Sequence, residues 1–499
     1  MIARVTTFTI DGLEPRAVVV EADLRAGLPA FTIVGLADRA VSEARERVKA
    51  AILNSGFEFP QRRVTVNLAP AHVRKAGGGF DLAIACAILA AEGALSAADL
   101  APLAVFGELS LGGEVRACPG TLAAAEGARR LGLDGLVVPL DRSREAALID
   151  GVCAVGIACL AELPAALRGD GPPPPPPLAP AAPLVPAPDL SDVRGHAAPI
   201  EALTVAAAGA HHLLLSGPPG TGKTMLARRL PSILPPLESD EAIEVTRIHS
   251  VRGLHGEAGL VLRRPFRAPH HTTSAAGLVG GGRPPVPGEA TLAHRGVLFL
   301  DELAEFDRRA LESLRQPLED GHVTIARDQR ALRFPTRFSL VAATNPCPCG
   351  RGGRACRCGE ADRARYRRKL SGALLDRIDL LVAVERPTAD ELAADPVTTS
   401  ERALGRVAAA RERQRDRTGC LNGDLTPAAL RATAGADDGA ERALRALYER
   451  GAVSARGRDR LLRVARTIAD LDGVDGVGRA HVLRAAAYRQ DESQASVAA

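Results

Sequence analysis

The eight residues Gly217-Pro-Pro-Gly-Thr-Gly-Lys-Thr224 constrain this chain more than any other feature. They lie between the apolar run Leu213–Ser216 and a stretch, Met225–Leu230, that can start a helix. A glycine-rich turn between a buried strand and a helix lets backbone N–H groups face inward and wrap an oligophosphate. Lys223 can then place a point charge on the outer phosphates, and the Thr224 hydroxyl can ligate Mg²⁺. Gly217, Pro218, Pro219, Gly220, Thr221, Gly222, Lys223 and Thr224 are therefore the expected ATP-binding set.

A site of this type needs acids from a neighbouring strand. Val297-Leu-Phe-Leu-Asp301-Glu302 provides four apolar residues and then two carboxylates at a strand end. Asp301 is expected to hold Mg²⁺, directly or through water, and Glu302 to orient the attacking water. Ser339–Thr344 is another apolar strand, and it delivers Asn345. Asn345 is expected between two carboxylate-bearing strands, within reach of the γ-phosphate or its water. Leu374-Leu-Asp-Arg377-Ile-Asp379 follows a turn at Ser371-Gly372. Arg377 reads either as an arginine finger for a neighbouring subunit's γ-phosphate, which implies a ring, or as a local partner of the adjacent acids. Arg456 is the candidate second arginine sensor.

Length and composition bound the rest. At 499 residues the chain should hold more than one domain. The sharpest boundary is residues 171–188, where six consecutive prolines precede alternating Ala and Pro, a semi-rigid extended spacer. Before it, Arg16–Glu21 and Arg63–Asn67 alternate as strands do, whereas Ala40–Ser55 and Phe80–Glu92 carry helical spacing. After it, Glu201–Ala208 reads as a helix, and from Thr388 onward the pattern is nearly all helical. The N-terminus has no basic start followed by an apolar run, and no apolar stretch of membrane-spanning length occurs, so a cytoplasmic protein without a membrane partner is expected.

Net charge is +4, which permits a nucleic-acid partner without demanding one. Lysine occurs only at 49, 75, 223 and 369, so nearly all positive charge is arginine. Aromatic residues are 3% and Trp is absent, which argues against an aromatic groove stacking single-stranded bases. Cys347, Cys349, Cys356 and Cys358 form a C-x-C-x₆-C-x-C pattern; four soft thiolates so close suggest a closed structural Zn²⁺ site, with reduced loop thiols as the alternative. Arg351, Arg354, Arg357, Arg363, Arg365, Arg367, Arg368 and Lys369 surround that pattern. Arg365, Arg367, Arg368 and Lys369 are the candidate contacts to DNA phosphates, weighed against an arginine-rich composition. Between Thr224 and Asp301, residues 252–287 are rich in Gly, Pro and Arg and read as inserted hairpins or a solvated loop. His270 and His271 there are either substrate contacts or structural.

Several stretches resemble the magnesium-chelatase-like AAA+ ATPases, and within them the ComM/YifB competence-protein family. They are Pro269-His-His-Thr-Thr-Ser274, Pro287-Gly-Glu-Ala-Thr-Leu-Ala-His294, Asn345-Pro-Cys-Pro-Cys-Gly350, Ser371-Gly-Ala-Leu-Leu-Asp-Arg377 and Val464-Ala-Arg-Thr-Ile-Ala-Asp470. The resemblance implies a homo-hexameric, DNA-acting ATPase that promotes branch migration of recombination intermediates and helps integrate transforming DNA. It also implies that the 252–287 region holds an insertion commonly directed into the ring pore. Lys75-Ala-Gly-Gly-Gly79-Phe-Asp-Leu and Phe106–Val115 resemble the proteolytic domain of Lon-type proteases. Motif alignment puts Gly79 at the nucleophilic serine and Leu122 at the general-base lysine. Neither can perform that chemistry, so no peptidase activity is expected.

The expected fold class is α/β: a Lon-protease-like α+β domain (1–170), the Pro-rich linker (171–188), an AAA+ P-loop core (189–385) and a C-terminal helical lid domain (386–499). The competing functions are a protein-remodelling ATPase and a metal-chelatase motor subunit. The first is disfavoured because the inserted region lacks an aromatic-hydrophobic loop for gripping peptide, the second because such subunits lack the Lon-like front domain.

Overall fold

The computed structural model describes residues 2–35, 39–73, 75, 77–169, 188–254, 259–282, 285–327, 330–353, 356–369 and 372–489. The Pro-rich run, apart from Pro188, lies outside them, as do Arg354, Ser371 and the side chain of Arg367. The chain forms two compact units, one of residues 1–182 with 238–262, the other of 183–237 with 263–499.

The first unit is built on a seven-stranded mixed sheet. Its strands are β1 (Ile2–Asp11), β2 (Glu14–Arg25), β3 (Ala30–Val34), β4 (Arg63–Ala69), β5 (Leu103–Val105), β6 (Gly135–Pro139) and β7 (Cys153–Ile157), in the order β3-β4-β2-β1-β5-β6-β7. β1 and β2 pair antiparallel, while β5, β6 and β7 run parallel. Alternation along β2 buries Val18, Val20 and Ala22, as a half-buried strand requires. The helix Asp81–Glu92 is apolar all round and almost wholly buried against β1 and β2, because ten of its twelve residues are aliphatic or Cys. Gly78 and Gly79 approach this helix, but neighbouring side chains fill the turn. A β-carbon on Gly79 would lie 2.7 Å from the Phe106 ring, and one on Gly78 would lie 2.7 Å from the Glu108 carboxyl carbon. Leu122 is buried in the helix Thr121–Arg130.

Helix Ser239–Val251 comes from the interval between Thr224 and Asp301, yet it packs in this first unit against helix Thr121–Arg130. Arg247 donates to Glu126 at 2.8 Å, Ser250 donates to Glu145, and Glu145 also accepts from the Leu122 amide at 3.0 Å. Ile243 packs on the cluster around Phe8, Phe106 and Leu122.

The second unit carries a five-stranded parallel sheet of β8 (Leu213–Ser216), β9 (Phe266–Arg267), β10 (Val297–Leu300), β11 (Ser339–Thr344) and β12 (Leu380–Ala383), in the order β9-β10-β11-β8-β12. Every residue of β10 and β11 is buried, which explains the apolar runs Val297–Leu300 and Leu340–Ala343. The inserted interval is thus not hairpin throughout. Phe266–Arg267 belongs to the core sheet, and among the described residues of the interval only Gly280–Gly281 with Val286–Pro287 forms a short antiparallel ladder. Another hairpin, His322–Arg327 with Arg330–Pro335, precedes β11.

Beyond Ala383 the described residues form helices, the longest being Ser400–Thr418 and Ala455–Asp472. Arg466, fully buried, donates to Asp470 at 2.9 Å, and Arg417 grips the same carboxylate through two bonds of 2.8 Å. Thr467 bonds the buried His211 at 2.7 Å, tying this region to the foot of β8. The Val464–Asp470 motif therefore has a structural task. Among the described residues no helix is long and apolar enough to cross a membrane.

Candidate nucleotide site and cysteine knuckle

The ends of three neighbouring parallel strands converge on the glycine loop. β8 stops at Ser216, and a β-carbon on Gly217 would fall only 2.1 Å from the Val384 carbonyl oxygen, so no other residue fits that close approach. Gly222, at φ 88°, caps the helix Lys223–Ala227 in the left-handed region. Lys223 is 9% exposed and donates to the Gly217 carbonyl (2.7 Å), the Pro218 carbonyl (2.8 Å) and Asn345 Oδ1 (3.2 Å). Burial lowers its pKa from the ordinary lysine value, and the Asp301 charge opposes that shift. The Thr224 hydroxyl donates to Asp301 Oδ2 at 2.7 Å. Two hard oxygen ligands of the kind Mg²⁺ takes therefore lie side by side.

β11 separates β8 from β10, so Asn345 emerges between the glycine-loop strand and the single strand that carries both acids, not between two acid-bearing strands. Glu302 sits at φ 52°, ψ 48°, a costly conformation for a non-glycine residue and one that gathers at functional sites. Its amide donates to Asp301 Oδ1 at 3.0 Å. His271 Nδ1 lies 3.6 Å from Glu302 Oε2, with the His270 ring 4.0 Å from that of His271. The sequence left these two histidines without a role. The signal that finds His271 is β9, whose pairing with β10 sets the following residues beside the acids, and a two-residue strand is too short to read from periodicity.

Arg377 is held by Glu319, from the helix Arg315–Asp320, and its side chain is 13% exposed. Arg456 is exposed in the first turn of Ala455–Asp472. Arg365, Arg368 and Lys369 are exposed on the helix Glu360–Lys369; Arg365 lies 3.7 Å from Asp362, and Lys369 lies 3.5 Å from Glu305.

Cys347, Cys349, Cys356 and Cys358 come together in the loop after Asn345, all four sulfurs within 4.8 Å of one another. The Cys347–Cys349, Cys347–Cys356 and Cys349–Cys356 sulfur separations are 3.3, 3.5 and 3.9 Å. Amides of Arg357 and Arg351 stabilise the Cys349 thiolate, bringing its pKa down to about 6.

Comparison with known proteins places this geometry. Residues 189–392 match the family described as magnesium chelatase, subunit ChlI. Residues 20–142 match subunit ChlI of Mg-chelatase, and residues 397–489 match the ChlI C-terminal family. YifB of Escherichia coli is 41% identical over 485 residues, 96% of this chain and 95% of that protein. Competence protein ComM of Haemophilus influenzae is 39% identical over 491 residues, with shares of 96% and 95%. The magnesium-chelatase 38 kDa subunit of Rhodobacter capsulatus is 27% identical over 307 residues, 57% of this chain and 81% of that protein. The parallel sheet followed by a helical region is consistent with an AAA+ layout of the magnesium-chelatase type, and these relatives suggest an AAA+ ATPase. Its likeness to YifB and ComM over nearly its whole length makes the chain a member of the ComM/YifB family of magnesium-chelatase-like proteins.

Proposed function

We propose that the chain is an ATP-dependent DNA motor, a hexameric AAA+ ring that drives branch migration of recombination intermediates such as those formed when transforming DNA is integrated. The observation that carries the ATPase part is the convergence of Lys223 with Asn345 and of Thr224 with Asp301 at neighbouring strand ends. Gly217–Thr224 would cradle the phosphates, with Lys223 exchanging its carbonyl partners for phosphate oxygens. Thr224 and Asp301 would hold Mg²⁺, which when bound offsets phosphate charge. Glu302 would orient the attacking water, and Asn345 would contact the γ-phosphate or that water. Arg377 would leave Glu319 to reach a neighbour's nucleotide, and Arg456 would serve as a second sensor. The four cysteines would hold a structural Zn²⁺.

The DNA part is supported by the relative named as a competence protein and by the exposed basic residues Arg365, Arg368 and Lys369, to which Arg367 is added from sequence. We assign residues 1–170 to a Lon-like module without peptidase chemistry, 189–385 to the AAA+ core and 386–499 to a helical lid, in a cytoplasmic protein. The test is migration of a synthetic four-way junction by wild type and Lys223→Ala, alongside ATPase rates with DNA, with unfolded protein and with neither. Activity in the wild type alone, with DNA stimulation, is expected. Stimulation by unfolded protein but not by DNA overturns the DNA reading in favour of a remodelling ATPase.

A further inference from the structure

We infer that metal occupancy of the cysteine knuckle braces the phosphate loop, so that a zinc-loaded knuckle is needed for tight nucleotide binding. This rests on the ATP-site reading above.

The four sulfurs suit one ion. With Zn–S bonds of about 2.3 Å, tetrahedral geometry requires sulfurs about 3.8 Å apart. The separations of 3.3, 3.5 and 3.9 Å, with all four sulfurs inside 4.8 Å, scatter about that distance. They are too close to enclose the wider inorganic core of an iron–sulfur cluster. Four soft thiolates without an oxygen donor select Zn²⁺ over Mg²⁺ or Ca²⁺.

The knuckle then meets the nucleotide site in three places. Cys347 is two residues beyond Asn345, whose side chain accepts from Lys223. Inside the knuckle, Gly350 turns at φ 76° directly against the phosphate loop, where a β-carbon would lie 2.7 Å from Pro219 Cδ. Past the knuckle, Tyr366 on the helix Glu360–Lys369 bonds the Thr344 hydroxyl at 3.3 Å, returning the chain to the end of β11. The described residues between Asn345 and Tyr366 thus leave the strand end, touch Pro219 and come back. Among the described residues of this path the α-helix begins only at Glu360. The Gly350 turn is closed by its amide bond to the Cys347 carbonyl at 2.9 Å, a turn that a metal on Cys347 and Cys349 would clamp from both sides. Binding energy at such a site is also ordering energy for the loop around it.

The experiment uses the full chain and reads two quantities: metal content, and affinity for a fluorescent ATP analogue with Mg²⁺. Wild type is expected to hold one zinc per chain. Stripping it with a chelator should weaken nucleotide binding about tenfold, and adding zinc back should restore it. Cys349→Ser combined with Cys358→Ser should lose zinc and affinity together, whereas Cys153→Ser, an exposed cysteine elsewhere, should change neither. Gly350→Ala keeps all four ligands and should retain zinc while still weakening nucleotide binding. Wild type without zinc, or zinc loss with unchanged nucleotide affinity, overturns the inference. A zinc-replete wild type that binds no nucleotide instead overturns the ATP-site reading itself.

Discussion

Two glycine-rich turns in this chain open onto buried helices, each beside a buried lysine, and they have opposite characters. In the first unit, Lys75 is fully buried and donates to the Pro70 carbonyl at 2.5 Å, while Phe106 and Glu108 occupy the room that side chains at Gly79 and Gly78 would need. In the second unit, Lys223 reaches two loop carbonyls and Asn345, and a β-carbon on Gly220 would meet nothing within 4 Å. One turn uses glycine so that protein can pack against it. The other packs Gly217 against the Val384 carbonyl but leaves the space over Gly220 open. Glycine and lysine alone do not make a phosphate cradle. What separates the two turns is what their neighbours do: Phe106 and Glu108 fill the space over Gly79 and Gly78, whereas Asn345 from the end of β11 meets the Lys223 side chain and leaves Gly220 uncovered.

The contrast can be tested, and the largest effect is expected at the open turn. Lys223→Ala should lower ATP turnover about a hundredfold or more, as loss of a charge-stabilising donor does, while thermal unfolding stays close to wild type. If Lys75→Ala lowered turnover as much, the distinction between the turns would be lost. At the filled turn, Asp81 opens the following helix with a carboxylate 1% exposed and paired to Arg47 at 2.8 Å. Burial pushes the Asp81 pKa up, and Arg47 opposes that shift. Arg47→Ala strands this acid and should cost about 3 kcal/mol in denaturant unfolding of the first unit, with the ATP-analogue Kd unchanged.

Gly79→Ser supplies the missing hydroxyl but drives it toward the Phe106 ring. It should destabilise by about 1–3 kcal/mol, the usual range for overpacking, and release no product from peptide substrates. Measurable hydrolysis would show that the turn is less filled than its packing indicates. The smallest effect is expected at His271→Gln, which keeps a polar group beside Glu302. It should lower kcat a few-fold with little change in KM, whereas His271→Phe should lower kcat further; equal loss in both variants would make the histidine merely structural.

The strand–glycine loop–helix at Gly217–Thr224 and the strand that ends in Asp301–Glu302 were legible in the sequence because each is a local unit, an apolar strand followed at once by its polar residues. Helix Asp81–Glu92 and strands β2 and β4 were legible by periodicity. The features that were missed depend on distant partners. Nothing local joins Arg377 to Glu319, or His271 to Glu302. Helix Ser239–Val251 lies just before the 252–287 stretch that reads as inserted, and nothing in its own sequence tells where it packs; its bonds to Glu126 and Glu145 do.

That helix has a consequence for biosynthesis. Because residues 238–262 complete the first unit, the backbone passes between the units at 182–183, at 237–238 and again at 262–263. A ribosome that has released the whole proline run has still not released all of the first unit. The surface around Ile243 and Glu126 must wait for another 60 or so residues, including the whole glycine loop Gly217–Thr224. A protease that severs the proline run yields two polypeptides, and the N-terminal one stays with helix Ser239–Val251 only through noncovalent packing, including the Arg247–Glu126 and Ser250–Glu145 bonds. Residues 1–182 expressed alone would be an unfinished domain, with an apolar patch exposed where its last helix belongs.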